Sequence, residues 1–160
     1  MKNIFLITLL MLIIADLIKS EATQKFSDNQ ISSMKLNTGF ITNKLKETSD
    51  FYQHVLQFGI SFENDFYILM HTPDQQAQLA FLLPNHPGQQ KLFQPAFGGE
   101  GAFITIEVPD ADAEYKRIQL LNIPIEISIR NEPWGDRHFA IVDPNGIGID
   151  FVTYSAPSEK

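Results

Sequence analysis

The chain repeats itself. Phe58-Gly59-Ile60-Ser61-Phe62-Glu63 parallels Leu121-Asn122-Ile123-Pro124-Ile125-Glu126, and Tyr52 falls in the same register as Tyr115. Further on, Thr72-Pro73-Asp74 parallels Asp143-Pro144-Asn145, and Leu79-Ala80-Phe81 parallels Ile149-Asp150-Phe151. A repeat of this length is one supersecondary unit that cannot bury its apolar face alone, so the two copies must pack together.

Each copy reads as strand, helix and three strands. In the first, a strand over 36–43 leads to a helix over 47–57, with Phe51, Val55 and Phe58 on one stripe and Tyr52 and Leu56 beside it. Gly59 is expected to end that helix. Strands follow over 60–63, 66–71 and 77–83. A loop rich in Pro, Gly and Gln spans 84–99. The second copy has a strand over 101–108 and a helix over 110–121 that Asp110 can cap, with Ala111, Tyr115, Ile118 and Leu121 on its buried stripe. Strands over 124–129, 137–142 and 147–154 complete it, the last two joined by the turn signal Asp143-Pro144-Asn145-Gly146. The fold class is α+β: two βαβββ units whose curled mixed sheets surround a cleft. Side chains alternate along a strand, so each has one face toward the helices and one toward the cleft.

With 160 residues there is room for one domain with a real core. The formal charge of −7 argues against nucleic-acid binding, which needs a Lys/Arg face. There is no Cys, which excludes disulfides, thiolate zinc sites and a cysteine nucleophile. Ahead of the repeat, Lys2 precedes an apolar run over 4–15 broken only by Thr8, and Ser20-Glu21-Ala22 offers small residues where a signal peptidase reads. That run is too short for a comfortable span of about 20 residues. The expected organisation is therefore a signal peptide over 1–22, a polar linker over 23–35, a domain over 36–154 with its units at 36–83 and 101–154, and a tail over 155–160. Export to the periplasm or the medium follows, with no stable membrane span after cleavage. A start at Met34 would instead leave the chain cytoplasmic.

Four stretches carry a family resemblance. They are 48–58 (Thr48-Ser49-Asp50-Phe51-Tyr52 through Phe58, with Gln57 where a Gly is usual), 103–112, 132–139 (Glu132-Pro133-Trp134-Gly135-Asp136-Arg137-His138-Phe139) and 143–151. Together they resemble the vicinal-oxygen-chelate superfamily of glyoxalases, bleomycin resistance proteins and extradiol dioxygenases, nearest its metal-free bleomycin-resistance-like members. Catalytic members of that superfamily hold one divalent metal with ligands from the first, fourth, fifth and eighth strands. The resemblance places Asn37, Ala80, Phe103 and Asp150 at those positions. Asp150 is the only family-matching ligand, and a catalytic metal needs about three protein ligands. No cofactor is expected, then. A divalent metal is the alternative, with Glu107 and His138 as weak additional candidates beside Asp150.

The expected cleft face comprises Asn37, Ala80, Leu82, Phe103, Thr105, Trp134, His138, Asp150 and Val152. Trp134 offers a lid or stacking platform. His138 offers a polar handle or proton carrier, and Glu107 a general base if desolvated. His54 is expected to face solvent, and His71 and His86 are given no role. The expected function is small-molecule binding of the sequestration or resistance type, as a homodimer, the dimer being what the resemblance implies. The alternative is a metal-dependent lyase or isomerase of the glyoxalase kind, or a dioxygenase.

Overall fold

The computed structural model describes residues 13–21 and 35–155. The rest lies outside the described residues. With it go most of the expected signal peptide's apolar run, its cleavage point after Ala22, Met34, and most of the expected linker and tail. Residues 13–21 are helical. Among the described residues no helix is long and apolar enough to cross a membrane. The chain divides into two compact units at Leu36 and Asn37, and everything below concerns the second.

That unit runs β1 (Thr38–Ile41), α1 (Leu45–His54), β2 (Gly59–Glu63), β3 (Tyr67–His71), β4 (Gln78–Leu82), β5 (Phe103–Glu107), α2 (Ala111–Leu120), β6 (Ile127–Asn131), β7 (Asp136–Val142) and β8 (Gly148–Tyr154). The described strands form two four-stranded sheets, ordered β1-β4-β3-β2 and β5-β8-β7-β6. In each, the first strand pairs parallel with the last and the remaining pairs are antiparallel. The repeat in the sequence is thus a repeat in topology. Ala80 sits between Gly39 and Leu69, as Asp150 sits between Thr105 and Ala140.

One apolar core joins the halves. Tyr52, Phe58, Met70, Leu79 and Phe81 of the first unit share it with Ile118, Phe139, Ile141, Ile149 and Phe151 of the second. It lies on the helix side of both sheets, because the alternating pattern sends 149 and 151 inward and 148 and 150 outward. Polar groups reinforce this join. Arg117 of α2 donates to the Val55 carbonyl at the end of α1 at 2.8 Å, satisfying a carbonyl the helix leaves free. Asp110 caps α2, accepting from Asp112 N–H at 2.9 Å and Ala113 N–H at 3.0 Å. At the turn before β8, Gly146 has φ +87°, and a Cβ there would meet the Gly99 carbonyl at 2.7 Å. Only glycine fits that approach.

Some element bounds differ from the sequence reading. Gly59 does not end α1. The helix stops at His54, Gln57 takes the left-handed conformation at φ 61°, and Gly59 already belongs to β2. The matching residue in the second unit, Asn122, has φ 57°. Leu121 is 43 % exposed and not part of the buried stripe, since it is the C-cap residue just past the helix. The sixth strand is Ile127–Asn131 and not 124–129, with a register shift between Ile127 and Arg130. Pro124 lacks the N–H a ladder needs, which pushes pairing toward the later residues.

Candidate functional site

The faces of the two sheets turned away from the core are unlike. On the first sheet the register aligns Gly39, Ala80 and Leu69, and next to them Ile41, Leu82 and Tyr67. These two rows are apolar apart from the Tyr67 hydroxyl, and the row beyond them carries His71 and Gln78, the latter donating to the Ser61 hydroxyl at 3.3 Å. Phe62 of β2 packs its ring beside Tyr67 with centroids 6.1 Å apart. Ala80 is buried, Leu82 half-buried and Asn37 exposed just before β1.

The second sheet carries the polar groups in ordered rows. Phe103, Gly148 and Val142 form one row, Thr105, Asp150 and Ala140 the next, and Glu107, Val152 and His138 the third. At the far end Tyr154 pairs with Asp136. Phe103 is 75 % exposed. Thr105 and Glu107 are also exposed, so Glu107 lacks the desolvation a general base would need. Val152 is buried. Trp134 stands 62 % exposed with its indole N–H fixed on Asp136 Oδ2 at 2.7 Å, so its ring face is presented at a set angle.

His138 and Asp150 meet. His138 Nδ1 lies 2.7 Å from Asp150 Oδ1, and its Nε2 lies 3.1 Å from Glu132 Oε1. Arg130 donates its Nε to the same Glu132 oxygen at 2.6 Å. The result is a chain of alternating charge, Arg130, Glu132, His138, Asp150, running from the sheet edge to its middle. With both ring nitrogens against carboxylate oxygens, only the imidazolium, which carries two N–H groups, satisfies both partners. Burial works against the His138 charge, but hydrogen bonds to Asp150 and Glu132 outweigh it and hold the imidazolium above the usual histidine range. The hydrogen bond from His138, with the Arg130 guanidinium adding to it, keeps the Glu132 carboxyl below the usual carboxylate range.

A pH dependence follows. A histidine whose folded pKa is raised contributes stability that is fully present below its unfolded value near 6.5 and is lost as pH rises through the folded value. We expect the His138 ring resonances in NMR to titrate above about 6.5, and the titration to move down in Asp150→Asn. A midpoint at or below the ordinary histidine value would contradict this geometry.

Two partners in this chain, Glu132 and Arg130, were not among the expected site residues. Their signal is alternation, since 130 and 132 fall on one face if β6 extends past 129. A sixth strand ending at 129 hides it.

The chain belongs to the Glyoxalase/Bleomycin resistance protein/Dioxygenase superfamily, whose profile matches residues 36–151. Among solved structures, the chain is similar to lactoylglutathione lyase from Agrobacterium tumefaciens, with TM-score 0.61, 17 % identity, and coverage of 76 % of this chain and 93 % of that one. It is also similar to the bleomycin resistance determinant encoded on the transposon Tn5, with TM-score 0.57, 19 % identity, and coverage of 77 % and 99 %. An antibiotic binding protein from Streptomyces sp. CB03234 aligns with TM-score 0.61, 17 % identity, and coverage of 77 % and 98 %. At such identities these likenesses show the shared fold. No curated protein matches the chain.

The metal of the catalytic members does not fit the residues present. Ala80 has no donor atom, Phe103 is apolar, and Asn37 is an exposed amide. Asp150 gives one oxygen to His138. The rescue set Glu107, His138 and Asp150 does not converge either. Asp150 and Glu132 take both ring nitrogens of His138, so neither is free to hold an ion, and Glu107 stands exposed across Val152 from the ring. Among the described residues no group of three His, Asp or Glu is arranged to hold a metal ion.

Proposed function

We propose that this protein binds a small molecule on the outward face of its second sheet and sequesters it without turnover. The observation that supports this reading most is the chain ending on Asp150. The one carboxylate at a family ligand position is engaged by an imidazolium instead of standing free among metal donors. The face around it combines exposed aromatic surface at Phe103 and Trp134 with a few oriented polar groups, the usual make-up of a ligand site. The antibiotic binding protein above shares this fold, which is consistent with the reading.

A ligand-observed NMR screen of a small-molecule library against the full chain tests the binding, and a screen without a single binder overturns it. Calorimetric titration with Zn²⁺, Ni²⁺, Mn²⁺ and Fe²⁺ should show no tight stoichiometric uptake. Tight uptake, or chelator-sensitive turnover of a hemithioacetal or a catechol, would replace sequestration by catalysis.

The same reading includes a homodimer. Away from that ligand surface, Phe62 and Tyr154 each expose more than half their surface, an apolar area that a partner would cover. In light scattering we expect twice the chain's mass, and a monomer at micromolar concentration would remove the dimer from this proposal. Export is the remaining part of the proposal. Protein recovered from outside the cytoplasm should begin at Thr23, which N-terminal sequencing reads directly.

A further inference from the structure

The row Phe103, Gly148, Val142 is a notch. Gly148 has no side chain, and it lies between a phenyl ring that is 75 % exposed and a valine that is 41 % exposed. A Cβ on Gly148 would reach only 3.6 Å from the Phe103 Cβ, an ordinary contact, so nothing in the packing demands glycine there. With no side chain at its centre, the row is open between the Phe103 ring and Val142. Asp150 lies two residues along the same strand on the same face, about 7 Å away.

The polar end of the notch shows acceptors. Asp150 Oδ1 is bound by His138, and its Oδ2 has no hydrogen-bond partner among the described residues. Both His138 nitrogens are turned to Asp150 and Glu132, so the imidazolium offers no donor to a ligand. Arg130 is held on Glu132, on the far side of His138. Thr105, beside Asp150 in the register, adds a hydroxyl. A ligand here meets a fixed carboxylate oxygen and must bring the hydrogen.

We propose that the notch over Gly148 is a subsite for a small flat apolar amine, its body between Phe103 and Val142 and its N–H head donating to Asp150 Oδ2. This rests on the small-molecule reading above and names the ligand class. His138, Glu132 and Arg130 act as positioning residues that aim the carboxylate. A ligand with a carboxylate or phosphate head is disfavoured, because it would set an anion against the Asp150 carboxylate, which the single Thr105 hydroxyl donor does not offset.

The test is an amide NMR titration of the full chain with three matched probes: 2-naphthylmethylamine, 2-naphthylmethanol and 2-naphthoate. The amine should bind at least about tenfold tighter than the naphthoate, as a charge-assisted hydrogen bond allows. Shifts should centre on residues 103–105 and 148–150. Asp150→Asn keeps the shape and the hydrogen bond to His138, and should bring the amine within about twofold of the alcohol. Gly148→Val should weaken all three by filling the notch. Binding without preference for the amine, or a preference that persists in Asp150→Asn, overturns the inference and leaves the small-molecule reading standing. If no probe binds, the inference falls, and the reading is then judged by the library screen alone.

Discussion

Asp143→Ala should remove about 3–4 kcal/mol of folding stability, a large share of what a domain this size has. Asp143 is only 4 % exposed. Its Oδ1 accepts from the backbone N–H of Asn145 at 2.7 Å and of Ile147 at 2.9 Å. Its Oδ2 accepts from the Asn145 side-chain amide at 2.9 Å and the Tyr52 hydroxyl at 3.3 Å. Alanine would leave the Ile147 N–H and the Tyr52 hydroxyl buried without this acceptor, while the Asn145 amide keeps Thr48, and each orphaned group costs about 1–3 kcal/mol. Burial first, and then the Asp143 charge, push the Tyr52 phenol far above its usual range, so it stays a donor.

The contact also crosses between the repeats. Tyr52 belongs to α1, and Asn145 donates to Thr48 of the same helix at 3.0 Å. Asp143→Ala therefore loosens the join between the units as well as the turn. Tyr52→Phe deletes only one long hydrogen bond and should cost about 0.5–1.5 kcal/mol. Urea unfolding of both variants measures the difference. Equal losses would mean that the carboxylate is not the centre of this network.

Phe139→Ala should cost about 3–5 kcal/mol. Phe139 is fully buried, stacked on Phe151 with centroids 4.8 Å apart and planes at 13°, and it meets the Tyr115 ring edge-on at 5.2 Å. Removing it opens a cavity in the core directly behind β7. His138 is the preceding residue on that strand, so the charge chain on the opposite face should lose definition along with the core. Phe103→Ala is the control. That ring is on the outward face, and its loss should change stability by less than about 0.5 kcal/mol. Thermal unfolding distinguishes the two phenylalanines, and similar losses would show the faces of the sheet to be misassigned.

Much of the fold is legible in the sequence because it is periodic. Alternation along β8 separates Ile149 and Phe151 from Gly148 and Asp150, and the structure keeps that division. The Asp110 cap is legible for a similar reason, since a cap is a bond between near neighbours. The end of α1 is less so. Gln57 adopts the left-handed conformation that Gly59 would accept at lower cost, and no local rule points to a glutamine.

The site is legible in part. Asp150, His138, Thr105 and Phe103 fall on one face by alternation alone. Their partners do not, because β6 is displaced from its expected span and only the register places Glu132 against His138. The absence of a donor at Ala80 and Phe103 is a fact of composition at two positions and needs no coordinates.

The sequence by itself therefore determined the doubled βαβββ plan, the family, and the poverty of metal ligands, since each depends on residue identity and period. Only the tertiary structure decided what Asp150 does. Its bond to His138, the reach of Glu132 and Arg130, and the glycine-floored notch beside it all arise from pairing between strands distant in sequence. Such contacts depend on register and twist, which no single strand encodes.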